Sequence, residues 1–338
     1  MRRTALRASS VSAIAACLLG FMSTAALAGP YTFSQIDFPG STNTTAHGLN
    51  DKGDIVGYFY VGNVPHGFLF SGGMYTQIDV PSSTQTLAYG INDSGQIVGV
   101  FDGAGGQHGF LKTGSSFLDL GLGFAVGIND AGQVVGSNAS GQGTLYSGGS
   151  FTTYNYPGAT FTRGDGINDL GQIVGLTGDA AVGHGFLLSG GVFSAFPVGS
   201  DAQGINNAGE VVGAFNGHGF LAIGGTITTF DDPAPGATFN RAVRINDAGQ
   251  IAGAFNDATG GHGYLATPVP EPESFAMLLA GLGLLATASF RSRGMRRPAL
   301  YATRLLQRRY FGSPRRFRCV HDAVPTPAPA KRFNEFAR

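Results

Sequence analysis

Five histidines recur at similar positions along the chain, and each is followed by glycine. They begin the pattern His-Gly-Phe/Tyr-Leu at His66, His108, His184, His218 and His262. Histidine can bind a metal or carry a proton near neutral pH. Because the five are spread through a repeating pattern, we expect them at equivalent and mutually distant places. Their spacing therefore predicts a structural hydrogen bond in each repeat rather than a shared metal site.

A second pattern, Ile/Leu-Asn-Asp/Asn-x-Gly, combines polar side chains that could ligate calcium. Its asparagines are Asn50, Asn92, Asn129, Asn168, Asn206 and Asn246, spaced by 42, 37, 39, 38 and 40 residues. A calcium loop needs several carboxylates at alternating positions before its glycine. Since most of these segments offer one carboxylate, the pattern favours turn capping by Asn and Asp, with calcium as the weaker alternative. We predict no bound cofactor.

Catalytic motifs are missing from the sequence. It contains no Gly-x-Ser-x-Gly, no His-Glu-x-x-His and no lysine-containing phosphate loop. Glu210 is the only glutamate between residues 31 and 267, whereas a glycosidase needs two neighbouring carboxylates. Four aspartates recur before predicted turns and should form a solvated acidic rim; they are Asp37, Asp79, Asp119 and Asp231.

The segments before each His-Gly differ most between repeats and are the expected places for binding specificity. They are residues 60–65, 102–107, 177–183, 216–217 and 256–261.

The elements that must hold these residues are short β-strands. Each unit of about 40 residues contains four β signals separated by turn signals, and helix signals are absent. Asn-Asp-x-Gly between apolar runs fits a hairpin whose glycine takes a positive φ. Ser-Gly-Gly, at 71–73, 147–149 and 189–191, fits a second tight turn. Six such units predict a six-bladed β-propeller.

The two ends of the repeat region complement each other. A lone strand begins at Tyr31, and the sixth unit stops near Thr267 without a following partner. Pairing of these strands would complete a blade and remove two exposed edges. An open β-solenoid gains nothing from such pairing and is the alternative architecture.

Charge is unevenly distributed although the net charge is zero. Residues 31–267 hold 5 basic and 17 acidic residues, whereas residues 291–338 hold 13 basic and 2 acidic ones. An acidic body repels phosphate backbones, so we expect no nucleic-acid partner. Cys17 and Cys319 both lie outside the repeats, which therefore have neither a disulfide nor a cysteine nucleophile.

The N-terminus has the features of a secretory signal peptide. Three arginines precede an apolar stretch, and Ala26-Leu27-Ala28 provides the small residues that signal peptidase accepts. We expect cleavage between Ala28 and Gly29. Lipidation of Cys17 is a weaker alternative, because the apolar run continues beyond it.

The C-terminal region resembles the PEP-CTERM sorting signal. Val269-Pro270-Glu271-Pro272 precedes an apolar run over 274–290, and arginines follow it. The resemblance implies a Gram-negative bacterium that makes exopolysaccharide, and an exosortase that recognises Pro270, Glu271 and Pro272. The 17 uncharged residues fit a transient inner-membrane anchor with a transmembrane helix, and a buried helix of the domain is the alternative. Sorting signals of this kind usually end the chain, but residues 298–338 follow this one. They are either a cytoplasmic tail that is discarded or an erroneous extension of the reading frame.

The repeated Gly-Ile-Asn-Asp-x-Gly-Gln-Ile-Val-Gly, seen at 90–99 and 166–175, resembles the HAF-repeat family of bacterial extracellular proteins over residues 31–267. The expected organisation is a signal peptide (1–28), a propeller (29–267), a sorting and anchor segment (268–297) and a basic disordered tail (298–338). These features predict a secreted, non-catalytic binding or structural protein of the cell surface or polysaccharide matrix. Its expected partners are signal peptidase and exosortase, then polysaccharide or surface proteins. The alternative is an extracellular carbohydrate-active enzyme on a propeller.

Overall fold

The computed structural model describes residues 31–178 and 183–269. This part of the chain contains no helix and forms six four-stranded antiparallel sheets arranged as a six-bladed β-propeller. The predicted fold is confirmed, and the open solenoid is excluded. The chain divides into compact units at Met1–Glu273 and Ser274–Arg338, and all described residues belong to the first.

Each blade except the last is built from four consecutive strands. Blade 1 contains β2 (Thr44–Leu49), β3 (Ile55–Val61), β4 (Val64–Ser71) and β5 (Met74–Ile78). Blade 2 contains β6 (Thr86–Ile91), β7 (Ile97–Gly103), β8 (Gly106–Thr113) and β9 (Ser116–Leu122). Blade 3 contains β10 (Phe124–Ile128), β11 (Val134–Ser137), β12 (Gly143–Ser147) and β13 (Ser150–Tyr154). Blade 4 contains β14 (Phe161–Ile167), β15 (Ile173–Gly178), β16 (Gly183–Ser189) and β17 (Val192–Val198); blade 5 contains β18 (Ser200–Ile205), β19 (Val211–Phe215), β20 (His218–Ile223) and β21 (Thr226–Phe230).

Blade 6 joins the two ends of the repeat region. It contains β22 (Thr238–Ile245), β23 (Ile251–Asn256), β24 (Gly261–Pro268) and, as its outer strand, β1 (Tyr31–Ile36). β1 pairs antiparallel with β24 from Tyr31 opposite Pro268 to Ile36 opposite Gly263. The outer strand of every blade thus belongs to the next sequence repeat. This offset of one strand closes the ring as the sequence predicted.

Two kinds of tight turn connect strands on one face of the propeller. In the first turn of blade 1, Gly53 has a φ of 81° and its N–H donates to the Asn50 carbonyl. Gly72 and Gly73 have φ values of 57° and 82°, the left-handed pair that a two-residue hairpin needs. Both turn predictions are confirmed, and the variable segments before each His-Gly lie on the opposite face, as two-residue turns in blades 1, 2 and 5.

The core consists of aliphatic side chains and aromatic rings packed between neighbouring blades. The third strand of five blades contributes a ring that is at most 1% exposed: Phe68, Phe110, Phe186, Phe220 and Tyr264. Each ring lies opposite a glycine of the Ile/Val-Val/Ala-Gly segment, as Phe68 does with Gly57. A Cβ atom on Gly57 would lie 1.9 Å from the Thr45 carbonyl oxygen and 2.9 Å from the Phe68 ring. Glycine is therefore required there by close packing.

A closed ring of hydrogen bonds links the six inner turns around the propeller axis. The side-chain Nδ2 of each motif asparagine donates to the backbone carbonyl of the next blade's asparagine, at 3.0–3.3 Å: Asn50 to Asn92, Asn92 to Asn129, Asn129 to Asn168, Asn168 to Asn206, Asn206 to Asn246 and Asn246 to Asn50. All six asparagines are buried. We call this set the asparagine ring.

The residues that follow form a second closed circle. Each backbone N–H donates to a side-chain oxygen of the next blade, at 2.7–2.9 Å: Asp51 to Asp93, Asp93 to Asp130, Asp130 to Asp169, Asp169 to Asn207, Asn207 to Asp247 and Asp247 to Asp51. The Asn-Asp pair is thus a device for joining blades as well as for capping turns.

We predict that Asn168→Ala lowers the free energy of unfolding by about 1 kcal/mol more than Asn138→Ala does, because it removes the inter-blade donor of the buried Asn206 carbonyl and leaves only the Gly209 N–H. Asn138 is the control. Like Asn168 it bonds to the residue four positions on, here Gln142, and it also accepts a bond from Ser140, but it is only half-buried and its described side-chain bonds reach no other blade. Urea unfolding of both variants measures the difference, and equal losses would show that the inter-blade bond contributes nothing.

Candidate functional site

Four of the five motif histidines form hydrogen bonds with the aspartates that were predicted to form an acidic rim. Nδ1 lies 2.8–3.1 Å from a carboxylate oxygen in the pairs His66–Asp79, His108–Asp119, His218–Asp231 and His262–Asp37. Since a carboxylate only accepts, each Nδ1–H is the donor. The aspartates are 34–51% exposed, as expected of a solvated rim, and each also accepts a hydrogen bond from a histidine.

His184 differs from the other four. Its ring stands edge-on against Tyr156, with centroids 5.1 Å apart, and no aspartate pairs with it among the described residues. The third unit has Gln142 in place of histidine. The histidines occupy separate blades, as the sequence predicted, so none of them shares a ligand with another.

His262 ties the N-terminal strand to the last blade. Its Nδ1 lies 2.8 Å from Asp37 and its Nε2 lies 3.1 Å from Asp257. Although burial opposes protonation, hydrogen bonds to Asp37 and Asp257 raise the pKa of His262 above its usual value. Bonds from Thr259, and the hydrogen bond from His262, lower the pKa of Asp257 to about 2. The imidazole is fully engaged and serves the closure of the propeller.

Arg244 crosses the axial channel. Five inner strands have glycine at the position closest to the axis, where neighbouring backbones nearly touch; blade 6 has Arg244 there. Its guanidinium donates to the Gln203 carbonyl and, at 2.8 Å, to the Val126 carbonyl on the opposite side of the ring. Burial lowers the pKa of Arg244 to about 10, so it stays charged at neutral pH.

The channel opens on the loop face into a funnel of about 180 Å³, lined by charged and aromatic side chains of the inner strands. Asp165 is 4% exposed and accepts two bonds from Arg163, at 2.7 and 3.1 Å. Desolvation, opposed by the charge of Arg163 and assisted by that of nearby Asp201, raises the pKa of Asp165 to about 6. The Oδ1 of Asp201 is buried and has no hydrogen-bond partner among the described residues.

His47 supplies a neutral imidazole to the same funnel. Its Nδ1 lies 2.9 Å from the Tyr89 carbonyl oxygen, which can only accept, so Nδ1 carries the proton. Desolvation and the charges of Arg244 and Arg241 lower the pKa of His47 well below its usual value. Nε2 is therefore an unprotonated acceptor.

A larger cleft of about 420 Å³ adjoins the funnel and spans blades 5, 6 and 1. Tyr58 and Arg241 line both spaces, so we treat them as one site, the axial cleft. The rings of Tyr58 and Tyr60 meet edge to face with centroids 6.0 Å apart. Arg241 has no carboxylate within 4 Å among the described residues. The cleft thus presents aromatic rings beside an arginine that forms no salt bridge with a described residue.

The variable loops contribute part of this cleft. Tyr60, Gly217, Asn256 and Gly261, from three of the predicted specificity segments, line it. Sequence reasoning missed the funnel residues His47, Asp165, Asp201 and Arg241. A signal for them existed, since each lies a few residues before the motif asparagine of its repeat, at positions where the repeats differ in charge.

The opposite mouth of the channel carries the second circle of turns, with five aspartates and Asn207. Desolvation and mutual repulsion raise the pKa values of Asp51 and Asp130. Within residues 31–178 and 183–269, no group of three His, Cys, Asp or Glu side chains is arranged to hold a metal ion.

Several predicted features lie outside the described residues. They are the cleavage site at Ala28 and Gly29, the sorting residues Pro270, Glu271 and Pro272, the apolar run over 274–290 and the tail over 298–338. Val269 is described and follows directly after β24. In the described segments, no helix is long and apolar enough to cross a membrane.

Residues 268–297 match the PEP-CTERM protein-sorting motif. The match confirms the resemblance seen in the sequence and implies a secreted protein that exosortase sorts. No curated protein matches the chain. The resemblance of residues 31–267 to HAF repeats stays a prediction.

Solved structures similar to the chain are varied in kind. A streptogramin B lyase is 12% identical with a TM-score of 0.42, covering 70% of this chain and 97% of its own. The structure of YCF48 bound to D1 peptide is 13% identical with a TM-score of 0.43, covering 72% of this chain and 96% of its own. Likeness at this level carries nothing about what this protein binds.

We predict that the Asp165 carboxyl titrates near pH 6 and that Asp201→Asn lowers this midpoint, because removing a neighbouring negative charge favours ionisation. Folding raises the pKa of this group, so its contribution to stability falls as the pH rises from about 4 through 6. Carbon-13 NMR of aspartate carboxyls measures the midpoint. Asp79→Asn, which removes a carboxylate just after the outer strand of blade 1, is the control and should leave the midpoint unchanged. A midpoint that does not respond to Asp201→Asn would contradict the coupling.

Proposed function

We propose that the protein is a non-catalytic polysaccharide-binding component of the cell surface or extracellular matrix, and that the axial cleft holds the glycan. The observation that carries this proposal is the cleft itself, in which Tyr58, Tyr60 and Arg241 are brought together on the loop face. The sorting motif supports an extracellular place for this activity.

The chemistry of the cleft suits sugars. Aromatic faces pack against the apolar C–H surface of a sugar ring, while nearby amides and hydroxyls pair with its hydroxyl groups. Asn43, Asn240 and Asn256 supply such amides beside the tyrosines. The cleft extends over three blades, so it can accept several consecutive units of a polymer.

A specific observation also favours the alternative, an extracellular carbohydrate-active enzyme. Asp165 has a pKa near 6, and His47 presents an unprotonated Nε2 in the same funnel. A carboxyl group that can hold a proton and an unprotonated imidazole can serve as general acid and base. The binding role ranks first because Asp165 is committed to Arg163 by two hydrogen bonds.

We predict that the mature secreted protein sediments saturably with the producing organism's own extracellular polysaccharide and leaves the polymer intact. Tyr58→Ala should weaken binding about tenfold or more, as expected for an aromatic contact at the centre of an interface. Arg241→Gln should weaken binding and reduce its dependence on salt, since it removes a charge from the cleft.

Lys112→Gln is the matched control, because it also removes one positive charge but lies on the third strand of blade 2, away from the cleft. It should bind as the unmodified protein does. Release of new reducing ends that Asp165→Asn abolishes would favour the enzyme instead. If the protein does not sediment with the polysaccharide and a surface protein co-purifies with it, the cleft binds a protein partner instead.

We also predict that processing removes both ends of the chain. Mass spectrometry of protein recovered from the cell surface should find Gly29 as the N-terminus and no peptide beyond about Glu273, because signal peptidase and exosortase act at these places. Pro270→Ala combined with Glu271→Ala should retain the C-terminal peptides. Peptides from residues 310–338 in the unmodified, mature protein would contradict exosortase processing.

A further inference from the structure

One blade lacks the aromatic ring that fills the interface in the other five. At the position of Phe68, Phe110, Phe186, Phe220 and Tyr264, blade 3 has Thr144. The strand register is the same, since Thr144 lies opposite Gly136 just as Phe110 lies opposite Gly99. Each of these rings packs between its own blade and the preceding one, as Phe110 packs with Val56 of blade 1. The missing ring therefore concerns the interface between blades 2 and 3.

A cavity of about 190 Å³ is present at that interface, and Thr144 lines it. Leu120 of blade 2 and Phe124, Tyr146 and Phe151 of blade 3 form much of its apolar wall. The buried residues of this interface, Val98, Ala125, Ile128 and Val134, include no aromatic residue, whereas every other inter-blade cluster of the described residues contains one. Blade 3 thus has the space that an aromatic ring fills in the other blades, but no aromatic side chain at that position.

The cavity has the size and lining of a site for one aromatic ring. Apolar cavities of about 150 Å³ lined by aliphatic and aromatic side chains bind benzene rather than water. Two of its wall residues reach solvent, because Phe124 is 39% and Phe151 is 52% exposed. A ligand can therefore enter without the blades coming apart.

We propose that the interface between blades 2 and 3 is a binding site for a small planar aromatic molecule, which occupies the space that phenylalanine fills in the other blades. Aromatic rings of the wall can meet such a ligand edge to face, an arrangement that stabilises beyond the burial of surface. The side chains of Ser137 and Thr153 at the cavity can hydrogen-bond to a single polar substituent. The site is separate from the axial cleft and does not depend on the proposed glycan.

Benzene is the probe, used with the full secreted protein. Saturating benzene should raise the Tm by at least about 2 °C, because a ligand that binds only the folded state stabilises it. Nuclear Overhauser effects between benzene protons and the Thr144 methyl group should place the probe in the cavity. Thr144→Phe should abolish the rise in Tm, since the new ring fills the site as Phe110 does in blade 2.

Thr144→Val is the matched control, because it keeps the volume of the side chain and should retain benzene binding. Cyclohexane should bind at least about tenfold more weakly than benzene, since it lacks the flat ring and its edge-to-face contacts. If Thr144→Phe does not fold, the Overhauser effects in the unmodified protein still decide the question. Absence of those effects, an unchanged Tm, or benzene binding retained in a folded Thr144→Phe variant would overturn the proposal.

Discussion

The propeller depends on the asparagine ring. Each of these side chains performs two tasks, since Oδ1 accepts from the backbone of its own turn, as Asn168 does from Gln172, while Nδ2 donates to the next blade. Aspartate has no donor for the second task, and serine would have to supply both bonds from one oxygen. The last bond, from Asn246 to Asn50, joins residues 196 positions apart and closes the ring. Local turn chemistry thus becomes the constraint that fixes the relative position of all six blades.

Because the turn face carries this constraint, the loop face is free to vary. The pairing of β1 with β24 and the bond between His262 and Asp37 hold blade 6 together from two distant parts of the chain. The axial cleft lies beside this closing blade and uses side chains from blade 1 as well. A binding site that needs residues from both ends exists only when the ring is closed, so closure serves the site as well as stability.

The sequence predicted the fold because the fold is periodic. Recurring Asn-Asp-x-Gly and Ser-Gly-Gly segments determine the turns, and a lone strand at one end predicts closure. The cleft was harder to predict because His47, Tyr89, Asp165 and Gln203 occupy one repeat position but share no residue type. A motif search finds the residues that the repeats share, whereas this cleft is formed by residues that differ between repeats. These residues are recognised as one site only when the closed ring brings their positions together. The pairing of His218 with Asp231 was missed for another reason: the two residues are 13 positions apart and meet only through the strand register.

Six identical blades would present six identical surfaces, and no ligand smaller than the ring could select one of them. Specificity must therefore come from departures from the repeat. Arg244 replaces an axial glycine and separates the acidic mouth of the channel from the funnel, while Thr144 replaces a core aromatic and opens a cavity. Both residues depart from the packing of the remaining blades, which have glycine at the axial position and an aromatic ring at the core position. A buried cation costs free energy unless it is paired, and a cavity costs the contacts of the missing ring. A closed ring tolerates such local costs because the asparagine ring and the strand pairing of the other blades hold the frame.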